Sequence, residues 1–331
     1  MKPALHLVLH VVSIRRALVR WYEKSKRDLP WRRTRDPYAI WVSEIMLQQT
    51  RVAAVIPYYE RFLARFPDIP TLADASEPQL LAMWSGLGYY SRARNLQTAS
   101  KQIANGFPSD YNSIREMPGV GDYTAAAVAS IAFGLPRAAV DGNVRRVIVR
   151  LSNHNGVDAN AAADRLLDRS DPGRWNQAMM ELGATVCLPR DPHCGECPLS
   201  RACLAHQAGT QNELPYKREK PTPERLDRTL LIIRAGSRRG NRVLLVPSPR
   251  VEGFWDLPEP FVGARVGDKL GEFRHTITHR HYRFAVFEAV ADSVPKGGRW
   301  WSTEQIPLST TAKKALRLAS GFLTRANLKP T

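Results

Sequence analysis

The sequence predicts a two-domain protein whose first domain is all-helical and whose second domain is mixed α/β. Before residue 210, apolar residues recur at the spacing of amphipathic helices. After the segment 211–226, which mixes prolines with charges, the apolar period changes to two, as in strands. We therefore predict a helical domain at 1–210, a linker at 211–226 and an α/β domain at 227–331.

Each element is predicted from its own periodicity and from the residues that interrupt it. Prolines in Leu29–Arg32 and Asp36–Tyr38 separate the first two helices, and Gly134 ends a helix rich in alanine. Predicted helices lie at 14–25, 40–50, 52–66, 77–84, 91–105, 111–117, 124–133, 144–152, 160–166 and 174–186. Predicted strands lie at 229–234, 242–246 and 282–290, followed by a last helix at 311–323.

The charge balance indicates a polyanionic partner. The chain of 331 residues has 48 lysines and arginines against 31 aspartates and glutamates, a formal net charge of +17. No apolar run reaches the ~18 residues that a membrane-spanning helix needs, and residues 4–12 lack a convincing signal-peptide cleavage site. We expect no membrane partner and a cytoplasmic location, with the nucleoid as the site of action if the source is bacterial.

A tight turn at Met117–Thr124 is the most informative local motif. Pro118, Gly119 and Gly121 would not be tolerated inside a helix, so they predict a hairpin between two helices. Its backbone N–H groups would lie at a helix N-terminus, where a phosphate can bind. Taken alone, such a turn more often serves only as architecture.

All four cysteines fall in the segment 187–203, as Cys187, Cys194, Cys197 and Cys203. Four thiols this close in a reducing compartment predict a metal site rather than disulfides. Their spacing suits structural zinc and a four-cysteine iron–sulfur cluster about equally. Arginines and a histidine in the same segment could place a rigid cationic loop on a phosphate backbone.

Two carboxylates have surroundings that predict opposite charge states. The helical neighbours of Glu44 are mostly apolar, so desolvation should favour its neutral form. Asp141 precedes a predicted helix and two arginines, which favours its anion, although Asp at this position is also an ordinary N-cap. Such a pair suits cleavage of a glycosidic bond, in which one acid donates a proton and the other stabilises positive charge.

The hairpin, the segment Val140–Asn143 and the cysteine spacing resemble the helix–hairpin–helix DNA glycosylases of the endonuclease III superfamily. Four motifs are similar to its adenine DNA glycosylase branch, the MutY type: Leu29–Arg32, Ser43–Val52, Gly86–Arg92 and Val140–Val144. The resemblance covers about residues 14–205. It implies that the four cysteines hold a [4Fe-4S] cluster.

The resemblance also implies roles for individual residues. Glu44 matches the acid that protonates adenine N7 and helps to activate water, and Asp141 matches the carboxylate that stabilises the oxocarbenium-like sugar. Tyr123 and Asn143 match residues that support this pair. The extruded adenine would lie among Trp31, Arg32, Leu47 and Glu181.

Further residues are expected to contact DNA. Gln48, Leu87 and Tyr89 match residues that enter the duplex and replace the stacking lost on base flipping; core packing is the alternative for Leu47, Leu87 and Tyr89. Gln49, Thr50, Gly119 and Gly121 are also expected at the DNA interface. Bifunctional relatives carry a lysine where Tyr123 stands, so base removal without efficient strand cleavage is implied.

The second domain is similar to a Nudix-like lesion-recognition domain, which in this family helps to recognise 8-oxoguanine. Gly253–Pro258 resembles its Trp-Glu-Phe-Pro-type turn, and Ile277-Thr278-His279 resembles its Phe-Ser-His segment. Thr278 and His279 are therefore expected to contact DNA. No Glu-rich Nudix catalytic helix is present, so we do not expect nucleotide hydrolysis.

We therefore expect a monomeric, monofunctional base-excision enzyme that removes adenine opposite 8-oxoguanine or guanine in double-stranded DNA. One alternative is a glycosylase/lyase for oxidised pyrimidines, which Tyr123 and the additional C-terminal domain disfavour. The other is a non-catalytic DNA-binding protein with structural zinc, which would leave Glu44 and Asp141 without a role.

Overall fold

The computed structural model describes residues 3–216, 223–235, 242–250, 252–277, 280–303 and 306–319, with only the backbone for residues 3–9. Its contacts divide the chain into two compact units. Unit 1 comprises Met1–Ala75 and Ser91–Arg218, and unit 2 comprises Ser76–Tyr90 and Glu219–Thr331. Residues 76–90, which the sequence analysis placed in the helical domain, group with the C-terminal residues in unit 2.

Each predicted helix has a counterpart in the described residues, and two short helices, Ile69–Ala73 and Leu204–Gln207, were not predicted. The described helices are α1 Pro3–Ser25, α2 Pro37–Leu47, α3 Val52–Arg65, α4 Ile69–Ala73, α5 Glu77–Trp84, α6 Ser91–Gln102, α7 Tyr111–Glu116, α8 Asp122–Phe133, α9 Gly142–Ser152, α10 Ala159–Leu166, α11 Pro172–Thr185, α12 Leu204–Gln207 and α13 Thr310–Leu316. Short 3₁₀ turns occupy Pro30–Arg32 and Ser200–Ala202. The first helix begins eleven residues earlier than predicted, because the apolar segment before residue 14 continues it.

Aspartates begin six of the helices in the described part of unit 1. Each carboxylate accepts hydrogen bonds from backbone N–H groups of the first turn, which have no partner within the helix. The residues are Asp36, Asp68, Asp110, Asp141, Asp158 and Asp171. The capping role considered for Asp141 is therefore present in the structure, alongside any chemical role.

The segment 117–121 forms a tight turn between α7 and α8. The Val120 N–H donates to the Met117 carbonyl at 3.0 Å, and Gly119 has a φ of +77°. Proline followed by a residue of positive φ is typical of a type II turn, which requires glycine at the second position. A Cβ on Gly119 would also lie 2.8 Å from the Asn95 Cβ. The turn therefore packs tightly against α6.

One core cluster of unit 1 lies where α1, α9, α10 and α11 meet, around the buried side chains of Leu18, Ile148 and Trp175. Small residues let α11 approach α9 closely. A Cβ on Gly183 would lie 2.6 Å from the Asn143 Cβ. This contact holds the start of α9, and so Asp141, at a defined position against α11. No described helix is both long enough and apolar enough to cross a membrane.

The part of unit 2 that the structure describes contains two three-stranded sheets. Its strands are β1 Glu224–Ile233, β2 Val243–Pro247, β3 Trp255–Asp256, β4 Ala264–Ile277, β5 Arg280–Ala291 and β6 Arg299–Trp301. In the first sheet β5 is central, parallel to β1 and antiparallel to β4, and in the second β2 lies between β3 and β6. Apolar side chains of β1, β2, β5 and α13 form its core.

The sequence analysis missed β4, the longest strand. Most of its side chains are exposed, and Gly267 and Gly271 interrupt its alternation near two register shifts. A strand with one weakly buried face gives little period-two signal. The short strands β3 and β6 were missed as well. The last helix is shorter than predicted within the described residues, and residues 320–323 of that prediction lie outside them.

A buried ion pair connects the turn at Gly253–Pro258 with the start of α13. Arg250 Nη2 donates to Asp256 Oδ2 at 2.6 Å, and the Thr311 hydroxyl lies 3.1 Å from both oxygens of this carboxylate. Asp256 is 1% exposed, so these donors replace the water that it loses on folding. The turn that sequence analysis singled out is thus rigidly held.

Candidate active site

Helix α2 carries Glu44 into the interior of unit 1. Every side chain from Tyr38 to Met46 is buried, because this helix is apolar on nearly all sides. Glu44 is the one carboxylate in that stretch, and it is 5% exposed. A carboxyl group in such surroundings loses the hydration that would stabilise its charge.

Burial raises the pKa of Glu44 from 4.5 to about 7. A hydrogen bond from the Tyr123 hydroxyl to Glu44 Oε2, 2.8 Å long, lowers the pKa in part. The charge of Asp141 raises it and that of Arg32 lowers it. Among the described residues Tyr123 is the one hydrogen-bond partner of Glu44, so Oε1 is available to a ligand.

Asp141 is held by donors from the start of α9. Its Oδ1 accepts from the Val144 N–H at 2.7 Å, and its Oδ2 accepts from Asn143 Nδ2 at 2.8 Å. Arg146 orients Asn143, because Arg146 Nη2 donates to Asn143 Oδ1 and to the Gly183 carbonyl, each at 2.8 Å. These bonds fix the direction of the carboxylate.

Both carboxyl groups border one cavity of about 540 Å³, a size typical of small-ligand sites. Eleven of the residues that the sequence analysis singled out line it: Trp31, Arg32, Glu44, Leu47, Gln48, Gln49, Thr50, Tyr123, Asp141, Asn143 and Glu181. They come from five separate stretches of sequence. The cavity is therefore a composite site that only the fold assembles.

Glu181 forms the charged wall of this cavity. Its Oε1 accepts from Arg27 Nε at 2.7 Å, and its Oε2 accepts from Arg27 Nη2 and Arg32 Nη2 at 2.7 and 2.8 Å. Burial alone would raise the pKa of this fully buried carboxyl group, but the two arginines outweigh it and lower the pKa to about 2. Glu181 therefore stays ionised.

Several residues that line this cavity were not predicted, and two of them, Arg27 and Met180, contact predicted site residues. Arg27 holds Glu181, and it stands just before the Leu29–Arg32 motif that drew attention to Trp31 and Arg32. Met180 also lines the cavity, with its Sδ 3.0 Å from the Tyr123 hydroxyl. Helical periodicity places a methionine at position 180 in a core as readily as in a site, so no sequence signal distinguishes it.

The turn that contains Gln48, Gln49 and Thr50 is held in a strained conformation. Gln49 has a φ of +57°, which is unfavourable for a residue with a side chain. The buried Arg92 stabilises this turn by donating to the carbonyls of Met46 and Gln48. Gln48 Nε2 reaches the Thr124 hydroxyl at 3.4 Å.

The remaining predicted DNA contacts that the structure describes do not line the cavity. Gly119 and Gly121 lie in the turn before α8. Leu87 and Tyr89 belong to unit 2, where Leu87 is 7% exposed and Tyr89 is 49% exposed with a φ of +50°. Thr278 and His279 lie outside the described residues.

The four cysteines border a second, small cavity, together with Arg150, His193 and His206. Backbone N–H groups donate to two of the thiols, Cys197 and Cys203, and Arg150 Nη1 lies 3.3 Å from the Cys187 Sγ. Burial raises the pKa of Cys197 and of Cys203. Because these thiols are buried, a bound metal centre would be needed to make them thiolates near neutral pH.

Within the described residues, no three His, Cys, Asp or Glu side chains converge closely enough to hold a single metal ion. On one zinc ion, with Zn–S bonds of about 2.3 Å, all ligand sulfurs must meet at one point. A polynuclear cluster differs because each thiolate binds its own iron, so its ligands surround a cavity. Four thiols are the donor set that a four-cysteine iron–sulfur cluster uses.

Comparison with known proteins agrees with this architecture. Residues 42–170 match the HhH-GPD superfamily of base excision DNA repair proteins. The human protein named adenine DNA glycosylase is 34% identical over 95% of this chain and 75% of its own length. The chain belongs to the adenine DNA glycosylase family. The resemblance to that family is thereby confirmed.

Two solved structures of DNA glycosylases are similar in fold to the helical part of this chain. A thermostable thymine-DNA glycosylase is 28% identical, with a TM-score of 0.56 over 61% of this chain and 97% of its own. An endonuclease III trapped as a covalent intermediate with DNA is 24% identical, with a TM-score of 0.52 over 60% and 98% of the two chains. The helix–hairpin–helix glycosylase fold is thus confirmed for this unit.

The raised pKa of Glu44 predicts a specific pH dependence of stability. Below pH 4.5 the carboxyl group is neutral in both the folded and the unfolded chain. Between pH 4.5 and about 7 only the unfolded chain releases its proton, so stability falls as pH rises. Glu44→Gln removes this loss, and we expect the variant to be more stable than the wild type by up to roughly 3 kcal/mol at pH 8.

Urea unfolding at pH 5 and pH 8 measures this difference, and the exposed Glu116→Gln serves as the matched control. The stability gained by Glu44→Gln should be larger at pH 8, whereas the control should change little at either pH. An equal effect of Glu44→Gln at both pH values would contradict a raised pKa of Glu44.

Proposed function

We propose that this protein hydrolyses the N-glycosidic bond of adenine paired with 8-oxoguanine or guanine in duplex DNA, after extruding the adenosine from the helix. The observation that carries the proposal is the pair of carboxyl groups, Glu44 and Asp141, that border one cavity in different surroundings. The names of its relatives support adenine as the leaving base.

Glu44 would act as the general acid. A pKa of about 7 keeps much of this carboxyl group protonated at neutral pH and still allows rapid proton transfer. Oε1, which has no hydrogen-bond partner among the described residues, can donate its proton to adenine N7. Once the base is protonated and departs, the resulting carboxylate can orient the attacking water.

Asp141 would stabilise the sugar as positive charge develops on it. Its two oxygens are held by Val144 and Asn143, so the carboxylate cannot turn away from the cavity without breaking a hydrogen bond. A fixed negative group needs little reorganisation when the oxocarbenium-like transition state forms. The capping bonds therefore serve the chemistry by holding the carboxylate in place.

The opposite wall of the cavity would recognise the base. Glu181 is an ionised acceptor, and Arg27 and Arg32 supply donors beside it, a combination that suits the polar edge of a purine. Trp31 and Leu47 offer apolar surface for the ring. Because Glu181 accepts from both arginines, this wall is preorganised before any ligand binds.

DNA binding would depend on charge and on residues in turns of the chain. The net charge of +17 favours the phosphate backbone. A Cβ on Gly121 would meet nothing within 4 Å, so the fold does not require glycine there, and the space admits a phosphate at the start of α8. Gln48, Leu87 and Tyr89 would replace the lost base stacking, and the strained backbone of Tyr89, with a φ of +50°, is compatible with such a role.

Unit 2 would recognise the lesion opposite the adenine. We propose a Nudix-like fold for the domain at 227–331, after a linker at 211–226. Its two sheets, the helix α13 and the buried turn at Gly253–Pro258 are compatible with that fold. Thr278 and His279 stay predicted contacts to 8-oxoguanine. We also propose that the protein acts as a monomer.

We further propose that Cys187, Cys194, Cys197 and Cys203 hold a [4Fe-4S] cluster, which would rigidify the loop at 187–203. Purified protein should be yellow-brown with broad absorption near 400 nm, roughly the visible range of thiolate-bound iron clusters. Cys197→Ser should lose this colour, and metal analysis should find iron and sulfide. Colourless protein with one equivalent of zinc would contradict the cluster.

Single-turnover release of adenine tests the enzymatic proposal. Adenine should leave duplexes in which it faces 8-oxoguanine or guanine much faster than those in which it faces thymine. Glu44→Gln should bind the lesion duplex but lose about 10²–10⁴-fold in rate, because no acid protonates the base. Asp141→Asn should lose about 10²–10³-fold through weaker charge stabilisation.

The same reactions, analysed before alkali treatment, report strand cleavage. The described residues that line the cavity include no lysine, so no amine is available there for a Schiff base with the sugar. Strands should stay intact until alkali is added. Adenine release by Glu44→Gln at nearly the wild-type rate would show that Glu44 is not the general acid. Strands that are cut before alkali is added would contradict a monofunctional enzyme.

A further inference from the structure

Met180 lies beside the general acid but cannot itself exchange a proton. Helix α11 places it next to Glu181 on the wall of the cavity. Its Sδ lies 3.0 Å from the Tyr123 hydroxyl oxygen, and that oxygen lies 2.8 Å from Glu44 Oε2. The hydroxyl of Tyr123 therefore stands between a thioether and a carboxyl group.

The Tyr123 hydroxyl carries one hydrogen, so at any moment it donates to only one of these two acceptors. An ionised carboxylate is the stronger acceptor and takes the hydrogen bond whenever Glu44 is charged. A neutral carboxyl group attracts the hydrogen far less, and the thioether, a weak acceptor, then competes with it.

We propose that Met180 is a positioning residue for the proposed reaction, because its sulfur accepts the Tyr123 hydrogen bond while Glu44 is protonated. This inference rests on the proposed function only for the role of Glu44 as an acid. The sulfur stabilises the neutral state of Glu44, in which Oε2 is released from Tyr123. Met180 thereby favours the form of Glu44 that protonates adenine.

The other charged groups around Glu44 do not depend on Met180. Asp141 acts from the start of α9, and Arg32 acts from the 3₁₀ turn at Pro30–Arg32. Glu181 is already paired with Arg27 and Arg32. Replacing the sulfur therefore changes the balance at Tyr123 and leaves the local charges unaltered.

The test replaces the sulfur by carbon at nearly constant volume, in Met180→Leu. Without the second acceptor, Tyr123 donates to Glu44 at every pH, and this hydrogen bond stabilises the Glu44 anion. The alkaline limb of the pH profile of the single-turnover rate should shift to lower pH by about half a unit. At pH values above the pKa, the rate should therefore fall by about threefold. The rate plateau at low pH should stay unchanged.

Met179→Leu is the matched control, because Met179 lies in the core and does not line the cavity. It should leave the pH profile in place. In a Tyr123→Phe background, which has no hydroxyl to compete for, Met180→Leu should produce no shift. The pH dependence of unfolding, measured against Glu44→Gln, reports the same shift of the Glu44 pKa without requiring activity.

Equal slowing by Met180→Leu at every pH would show a packing effect and overturn the inference. A shift that persists in Tyr123→Phe would overturn it too, because the hydroxyl would not be involved. If the wild type released no adenine, the proposed function would fail, while the unfolding experiment would still decide whether Met180 sets the pKa of Glu44.

Discussion

The desolvation of Glu44 on α2 is the constraint on which the rest of the site depends. An apolar helix buried on nearly all sides carries one carboxyl group, and that burial costs stability at neutral pH. The fold offsets part of the cost with the hydrogen bond from Tyr123. Retaining such a group is understandable where a proton must be held near pH 7 and given to a substrate.

Three carboxyl groups border the cavity, and their partners separate their behaviour. The partner of Glu44 is an uncharged hydroxyl group, and burial raises the pKa of Glu44 to about 7. Glu181 is buried as deeply but receives two arginines, so it stays ionised. Asp141 binds the first turn of α9. Burial alone thus does not assign a role; the donors at each carboxyl group do.

Much of this arrangement could be predicted from the sequence, for physical reasons that differ from residue to residue. The apolar neighbours of Glu44 indicated its burial, and the glycines at 121 and 134 marked the ends of α8. By contrast, β4 was missed because its exposed face gives no alternation. Arg27 and Met180 act through contacts with α11 and α8 that are distant in sequence, and no local pattern reports such contacts.

The Glu44 carboxyl group should still be protonated at a pH at which ordinary carboxyl groups have ionised. Infrared difference spectra between wild type and Glu44→Gln measure this directly through the C=O stretch of a protonated carboxyl group. The wild type should show a band that is absent from Glu44→Gln, and this band should disappear with a midpoint near pH 7 as the pH is raised. A band already lost at the ordinary value of 4.5 would contradict a raised pKa of Glu44.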